Sequence, residues 1–346
     1  MGPRLQIVIA ELPPAYFAMV MATGIVSIAC HHMGLSFVAE PLLWLNTACY
    51  VVLCGLTLAR LAFHPGRLIG DLSHHLSGVG FFTMVAGTCV LGSQFVILLQ
   101  AYRWGLILLA LGVMLWGILI YGVFAALMVK EAKPPLETGI SGVWLVAVVS
   151  TQAVSMLSGL LASQMAHRVL ILFFSYCMFL VGGMLYILII TLNFYRFLFF
   201  SLKPDALTPP YWINMGAVAI STLAGANLIL LGQGVEFLDR MIPFTLGLTV
   251  FFWSAATWWI PLILLLGAWR YLVRRVGFSY DPQYWGMVFP LGMYTVCTLK
   301  LAQAAQLGFL LEIPRYSIFA ALLAWTLTFA GFVRSMIRAL SAPANA

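Results

Sequence analysis

Lys300 sits in a predominantly apolar run, 284–307, and is the one basic residue clearly inside such a run. An ionisable group at the centre of a bilayer costs about 2.5–3.5 kcal/mol on insertion scales. It is tolerated where it lines water or where its long stem carries the ammonium to an interface, and both alternatives are open for Lys300. None of the ten carboxylates (Glu11, Glu40, Asp71, Glu131, Glu137, Asp205, Glu236, Asp239, Asp281, Glu312) lies inside an apolar run. Cation sites and proton relays usually need one there. The histidines His31, His32, His64, His74, His75 and His167 fall at the ends of runs and in the segments between them. His31–His32 and His74–His75 are adjacent pairs whose side chains diverge on a helix, so neither has the spacing of a metal or haem site. The six cysteines form no CxxC pair and read as buried thiols. No nucleophile–base set or HExxH motif stands among the runs, so no catalytic residue, cofactor or metal ligand is assigned. The residues left to do chemistry are a cation, hydroxyls and amides, which suit transient binding of anions.

The elements that position them are set by composition. The chain is 63% hydrophobic and 8% charged, against about 25% charged in soluble domains. Lipid is its solvent. The net charge of +7 is therefore sorted by membrane side rather than read as a nucleic-acid surface. Crossing about 30 Å of hydrocarbon takes about 20 residues. Ten segments qualify, near 15–32, 41–62, 79–99, 104–129, 140–162, 168–193, 211–232, 245–269, 284–307 and 317–339. Residues 1–11 lack the pattern of a cleaved signal, so the first span is expected to be retained. Arg4, Arg60, Arg67, Lys130, Lys133, Arg196, Lys203, Arg270, Arg274, Arg275, Arg334 and Arg338 fall on one side of the membrane. Arg103, Arg168, Arg240, Lys300 and Arg315 fall on the other. The positive-inside rule then predicts a multi-pass plasma-membrane protein, the inner membrane in a bacterium, with both termini cytoplasmic. No long soluble insertion interrupts residues 1–346, which are expected to form one membrane domain.

Odd-numbered segments share a string near their starts. Phe17–Thr23 (FAMVMAT) and Phe82–Thr88 (FTMVAGT) match at four of seven positions, and Trp285–Leu291 (WGMVFPL) is related. The repeat unit is a two-helix hairpin, and five such units stacked side by side make a closed ring with the odd helices inside. These helices concentrate small and polar residues, among them Thr23, Gly24, Ser27, Thr88, Ser150, Asn214 and Asn227. Small and hydroxyl residues also pack helices in lipid with no pore present; their recurrence favours a central path. Pro290 is expected to bend the ninth helix.

Pro14–Ser27 (PAYFAMVMATGIVS) and Trp285–Thr295 (WGMVFPLGMYT) resemble the tellurite-resistance/dicarboxylate transporter family, which includes plant slow-type anion channels, fungal malate permeases and sulfite efflux proteins. The resemblance implies an all-α integral membrane fold: ten transmembrane helices as five hairpins in a quasi-fivefold ring around a central pore, assembled as a homotrimer. It also implies a pore-occluding phenylalanine, matched here by Phe289. Repeat alignment sets Met21, Ala86, Val148 and Gly216 level with it, with Thr23, Gly24, Thr88, Ser150 and Pro290 as further lining or kink positions. Eleven residues beyond Phe289, on nearly the same helix face, is Lys300. The same step on the other helices gives His32, Ile97, Gly159 and Asn227. His32, Asn227 and Lys300 would form an anion-attracting vestibule. The expected cargo is a small anion: chloride, nitrate, sulfite, malate-like dicarboxylates or an oxyanion such as tellurite. A proton-coupled C4-dicarboxylate carrier is the alternative, and a membrane redox or haem protein a distant one.

Overall fold

The computed structural model describes residues 3–277 and 279–341, and these are helical with no strand. Ten long helices succeed one another: α1 (Ala18–His32), α2 (Ser36–Phe63), α3 (Phe82–Leu99), α4 (Tyr102–Val129), α5 (Val146–Leu161), α6 (Arg168–Phe199), α7 (Ile213–Leu231), α8 (Glu236–Ala268), α9 (Trp285–Ala305) and α10 (Glu312–Ser341). Short helices at Pro3–Ala10, Pro65–Leu72 and Leu136–Gly139 lie between or before them.

Among the described residues nine helices are long and apolar enough to cross a membrane, so the chain is a multi-pass membrane protein. The remaining long helix is α9, 21 residues long, which at about 1.5 Å per residue is also long enough to span. Its Pro290, Tyr294, Thr295, Thr298 and Lys300 dilute its apolar character. It can be this polar because protein rather than lipid surrounds it: Trp285, Phe289, Met293 and Cys297 are all fully buried.

The odd and even helices differ in the same way. In the spans containing α1, α3, α5 and α7, between 72% and 94% of the apolar window is buried, against 17–44% in the five even helices. The even helices present Leu58, Leu61, Ile118, Leu188, Leu265 and Leu323 outward, as lipid-facing surfaces do. Each odd helix packs against the even helix that follows it, giving five hairpins, and the odd helices pack α1 on α3, α3 on α5, α5 on α7, α7 on α9 and α9 on α1.

A second set of contacts joins successive hairpins. Tyr50 of α2 hydrogen bonds to Thr88 of α3 (2.9 Å), and Trp116 of α4 donates to Thr151 of α5 (2.9 Å). Trp253 of α8 donates to Thr298 of α9 (3.0 Å), and Trp325 of α10 donates to Thr23 of α1 (3.1 Å), joining the last hairpin to the first. In an apolar surround such a bond satisfies two groups that would otherwise be stranded.

The odd helices begin alike. Each is entered through a 3-10 turn: Pro14–Phe17, Gly78–Phe81, Gly142–Leu145, Pro209–Trp212 and Pro282–Tyr284. Four of them leave by tight turns, with Gln100 (φ 52°) after α3 and Gln306 (φ 57°) after α9 in the left-handed region, and Gly34 and Gly234 (φ 78° and 77°) after α1 and α7, while α5 runs into the 3-10 turn Ala162–Gln164. A left-handed residue closes the last helical turn and redirects the chain within a few residues, so at those four ends the outer helix starts beside the inner one it follows. Pro290 lies within α9 without interrupting it.

Candidate functional site

Two cavities lie at opposite ends of the odd helices. The one at their N-terminal ends, about 230 Å³, takes Ala18 and Met21 from α1, Thr83 from α3, Val146 from α5, Ile213 from α7 and Gly286 from α9. The one at their C-terminal ends, about 110 Å³, takes Ile28 and His32, Ile97, Met156 and Leu160, Leu223 and Asn227, and Val296 and Lys300 from the same five helices. Ala18 and His32, Thr83 and Ile97, Val146 and Leu160, Ile213 and Asn227, and Gly286 and Lys300 are each fourteen residues apart. Fourteen residues make nearly four helical turns, so each pair shares one face and spans about 21 Å. Five helices therefore turn one stripe each toward the line joining the two cavities.

Contacts of α9 fix its direction independently. A Cβ on Gly216 of α7 would stand 2.6 Å from Pro290 Cγ, and one on Gly292 would stand 3.0 Å from Ile25 of α1. Pro290 thus faces α7 and Gly292 faces α1. On the far side, Tyr294 bonds to Thr257 (2.8 Å) and Thr298 to Trp253, both of α8, while Thr295 bonds to Ser317 of α10 (2.8 Å). At about 100° per residue, Gly286, Phe289, Met293, Val296 and Lys300 occupy the remaining sector, between α7 and α1. Phe289 is fully buried and lies on the stripe between the two cavities.

Carrying the same step to the other helices sets Met21, Ala86, Val149 and Gly216 level with Phe289, and Ile25, Val90, Ala153 and Ile220 level with Met293. These are buried, apolar or glycine, and carry no polar side-chain atom. The central stretch is thus two apolar layers deep.

The sequence-predicted positions separate into groups. Lys300, His32 and Asn227 do meet around one cavity. Lys300 Nζ also reaches Gln303 Oε1 at 3.3 Å. Met21, Ala86, Gly216, Phe289 and Pro290 lie at or beside the stripe. Val148 does not: it is seven residues from Ser155, whose hydroxyl bonds to Ser175 of α6 (2.7 Å to the carbonyl), so it shares the face turned to the outer helix. Gly159 also faces Ser175, and Leu160 lines the cavity instead. The expected alignment is displaced by one residue in α5. Thr23 and Thr88 point outward to Trp325 and Tyr50, and Ser150 bonds to Ala147 O within its own helix (2.9 Å). Gly24 serves packing, since a Cβ there would meet Val90 at 2.6 Å and Asn46 at 3.0 Å. Sequence reasoning missed the Met293 layer, although Met293 lies one turn beyond Phe289. It also missed Asp281, which lines the N-terminal cavity and caps the entry to α9 by accepting from Gln283 N (2.7 Å).

The two cavities are separated by buried apolar side chains, and a cation, an imidazole and an amide line one of them, a set that suits transient binding of an anion. A family model described as voltage-dependent anion channel, SLAC1, matches residues 11–333. The chain belongs to that voltage-dependent anion channel family. This is the family that Pro14–Ser27 and Trp285–Thr295 resemble. The match takes in α1 to α9 entirely and most of α10.

Relatives of the chain within reach of alignment include an uncharacterized membrane protein of Mycobacterium tuberculosis, 38% identical over 44% of this chain and 77% of that protein. An uncharacterized transporter of Methanocaldococcus jannaschii is 22% identical over 83% of this chain and 82% of its own length. A sulfite efflux pump of Trichophyton rubrum is 23% identical over 94% and 90% respectively.

Proposed function

We propose that the chain conducts small anions through a path along the shared axis of α1, α3, α5, α7 and α9, with the five hairpins forming a quasi-fivefold ring and Phe289 closing its centre. The observation that carries this reading is the fourteen-residue pairing. All five odd helices contribute to both cavities at the same interval, as a ring around one axis requires, whereas helices packed only for stability have no reason to keep a common register. Membership of an anion channel family and a basic mouth at Lys300 and His32 support the charge sign of the cargo.

The cargo class comprises chloride, nitrate, sulfite, malate-like dicarboxylates and oxyanions, with sulfite drawn in by the efflux pump among the relatives. Thr23 and Thr88 play no part in coordinating it, since their hydroxyls are engaged between helix layers. Residues 1–346 act as one membrane domain, with both termini in the cytoplasm and the Lys300 mouth outside, in the plasma membrane (the inner membrane of a bacterium). Three copies assemble, each with its own path.

The test is to reconstitute the chain and Phe289→Ala in liposomes and record chloride, nitrate, sulfite and malate currents. A nearly silent parent and a conducting variant are expected. Silence of both, with malate accumulating only under an imposed pH gradient, would replace this reading with a proton-coupled carrier.

A further inference from the structure

A third cavity, about 100 Å³, lies off the axis among the ends of α6, α7, α8 and α9. Tyr271 and Tyr284 in its wall are hydrogen bonded to each other (3.0 Å), but three other polar side chains are poorly served. Asn214 is fully buried, and neither its amide nitrogen nor its oxygen has a partner; the Tyr211 hydroxyl and the Arg270 Nε are buried and unpartnered as well. Arg270 donates another of its N–H groups to Leu207 O. Among the described residues no acidic side chain lines the cavity. A guanidinium and an amide facing one space with no counter-anion make an oxyanion site in need of its oxyanion, because buried polar groups are almost always hydrogen bonded.

The rest of the wall identifies what carries that oxyanion. Ile263, Leu266 and Gly267 of α8 line the cavity. Leu266 and Gly267 are themselves only half-buried, beside the exposed Leu264 and Leu265 of the same turn, so the cavity wall reaches the lipid-facing surface. Arg270 stands in the π turn Trp269–Val273 that follows α8, flanked in sequence by Trp269 and Tyr271, residue types that mark a membrane interface, with its guanidinium 5.2 Å from the centre of the Tyr271 ring. A cation at that depth with an aliphatic wall running toward the bilayer centre matches an acidic lipid, head at the interface and chain inward.

We infer that this cavity binds an anionic membrane lipid, its phosphate held by Arg270 and Asn214 and its first acyl segment lying along Ile263, Leu266 and Gly267.

The full-length protein, purified in detergent, is titrated with phosphatidylglycerol or phosphatidylcholine, and bound lipid is counted by native mass spectrometry. Retention does not depend on anion flux, so the result is separate from the fate of the conduction reading. The parent should retain phosphatidylglycerol with several-fold higher occupancy than phosphatidylcholine. Arg270→Gln should remove that preference several-fold, while Arg275→Gln, an exposed arginine on the following turn, should keep it. If Arg270→Gln fails to fold, Gly267→Leu carries the test: a Cβ at Gly267 meets nothing within 4 Å, so the substitution fills the groove with Arg270 intact, and it should lower retention equally. Unchanged retention in the variants, no preference for the acidic lipid, or no lipid retained would overturn the inference. So would an equal rise in thermal stability with inorganic phosphate alone, which would assign the site to a free oxyanion.

Discussion

Lys300 shows how one side chain's place decides its meaning. An ammonium on the lipid face would be a cost managed by snorkelling; beside His32 and Asn227 it is a field at the mouth of the proposed path. A unit charge about 8 Å from a passing anion, at an effective dielectric of about 40, is worth about 1 kcal/mol, or about fivefold in local anion concentration. Lys300→Ala is therefore expected to lower anion conductance about fivefold in a variant opened at Phe289, and Lys300→Glu to lower it further. The measurement is the reversal potential and slope conductance in asymmetric chloride. Equal currents in all three would remove Lys300 from the path. Asp281 at the opposite mouth has the contrary sign and also caps the turn before α9; Asp281→Asn removes the charge and keeps an oxygen to accept from Gln283 N.

At the scale of the helix, the deciding quantity is rotation. An inner helix buried on all sides has no polar face to declare which way it turns. In α5, Val148, Val149 and Ser150 are equally buried, and only the Ser155–Ser175 pair and the cavity contact of Leu160 give its orientation. A one-residue displacement turns a helix by about 100°, enough to exchange a cavity-lining residue for one against α6. With α5 so oriented, Leu160→Cys is expected to react with a membrane-impermeant thiol reagent added from the Lys300 side, and Gly159→Cys to be protected. The rate of modification in intact vesicles checks this, and the reverse order would restore the alignment based on Val148. The same rotation accounts for the threonines. Thr23 and Thr88 fall about 200° from Met21 and Ala86 on their helices and so meet the outer layer, where Trp325 and Tyr50 hold them.

For the whole molecule, the closed centre of the proposed path is a property of five helices together. In that reading two layers, Phe289 with Met21, Ala86, Val149 and Gly216, then Met293 with Ile25, Val90, Ala153 and Ile220, exclude water by apolar contact. The layers are unequal, since the first sets Phe289 and Met21 among the smaller Ala86, Val149 and Gly216, with Pro290 packed on Gly216, while the second holds Met293, Ile25 and Ile220 with Val90 and Ala153. Phe289→Ala is thus expected to open the path only in part, and Phe289→Ala with Met293→Ala to conduct at least about tenfold more than the single variant. Single-channel recording in planar bilayers distinguishes the two. If the double variant conducts no better than Phe289→Ala, the second layer offers no resistance and the phenylalanine alone is the barrier.

The sequence by itself determined the membrane solvent, the hairpin repeat, the family resemblance and the eleven-residue step from Phe289 to Lys300. Each follows from composition or from the helix period, which are properties of a segment taken alone. It left open which face of each inner helix looks inward, because an apolar helix with scattered hydroxyls fits several rotations equally well. Tertiary packing decided that through close approaches such as Gly216 on Pro290 and through the bonds between layers. It also decided that Asn214, Tyr211 and Arg270, spread over two helices and the turn before one of them, share one cavity. No spacing along the chain could announce that, since residues up to fifty-nine positions apart meet only when the helices that carry them pack.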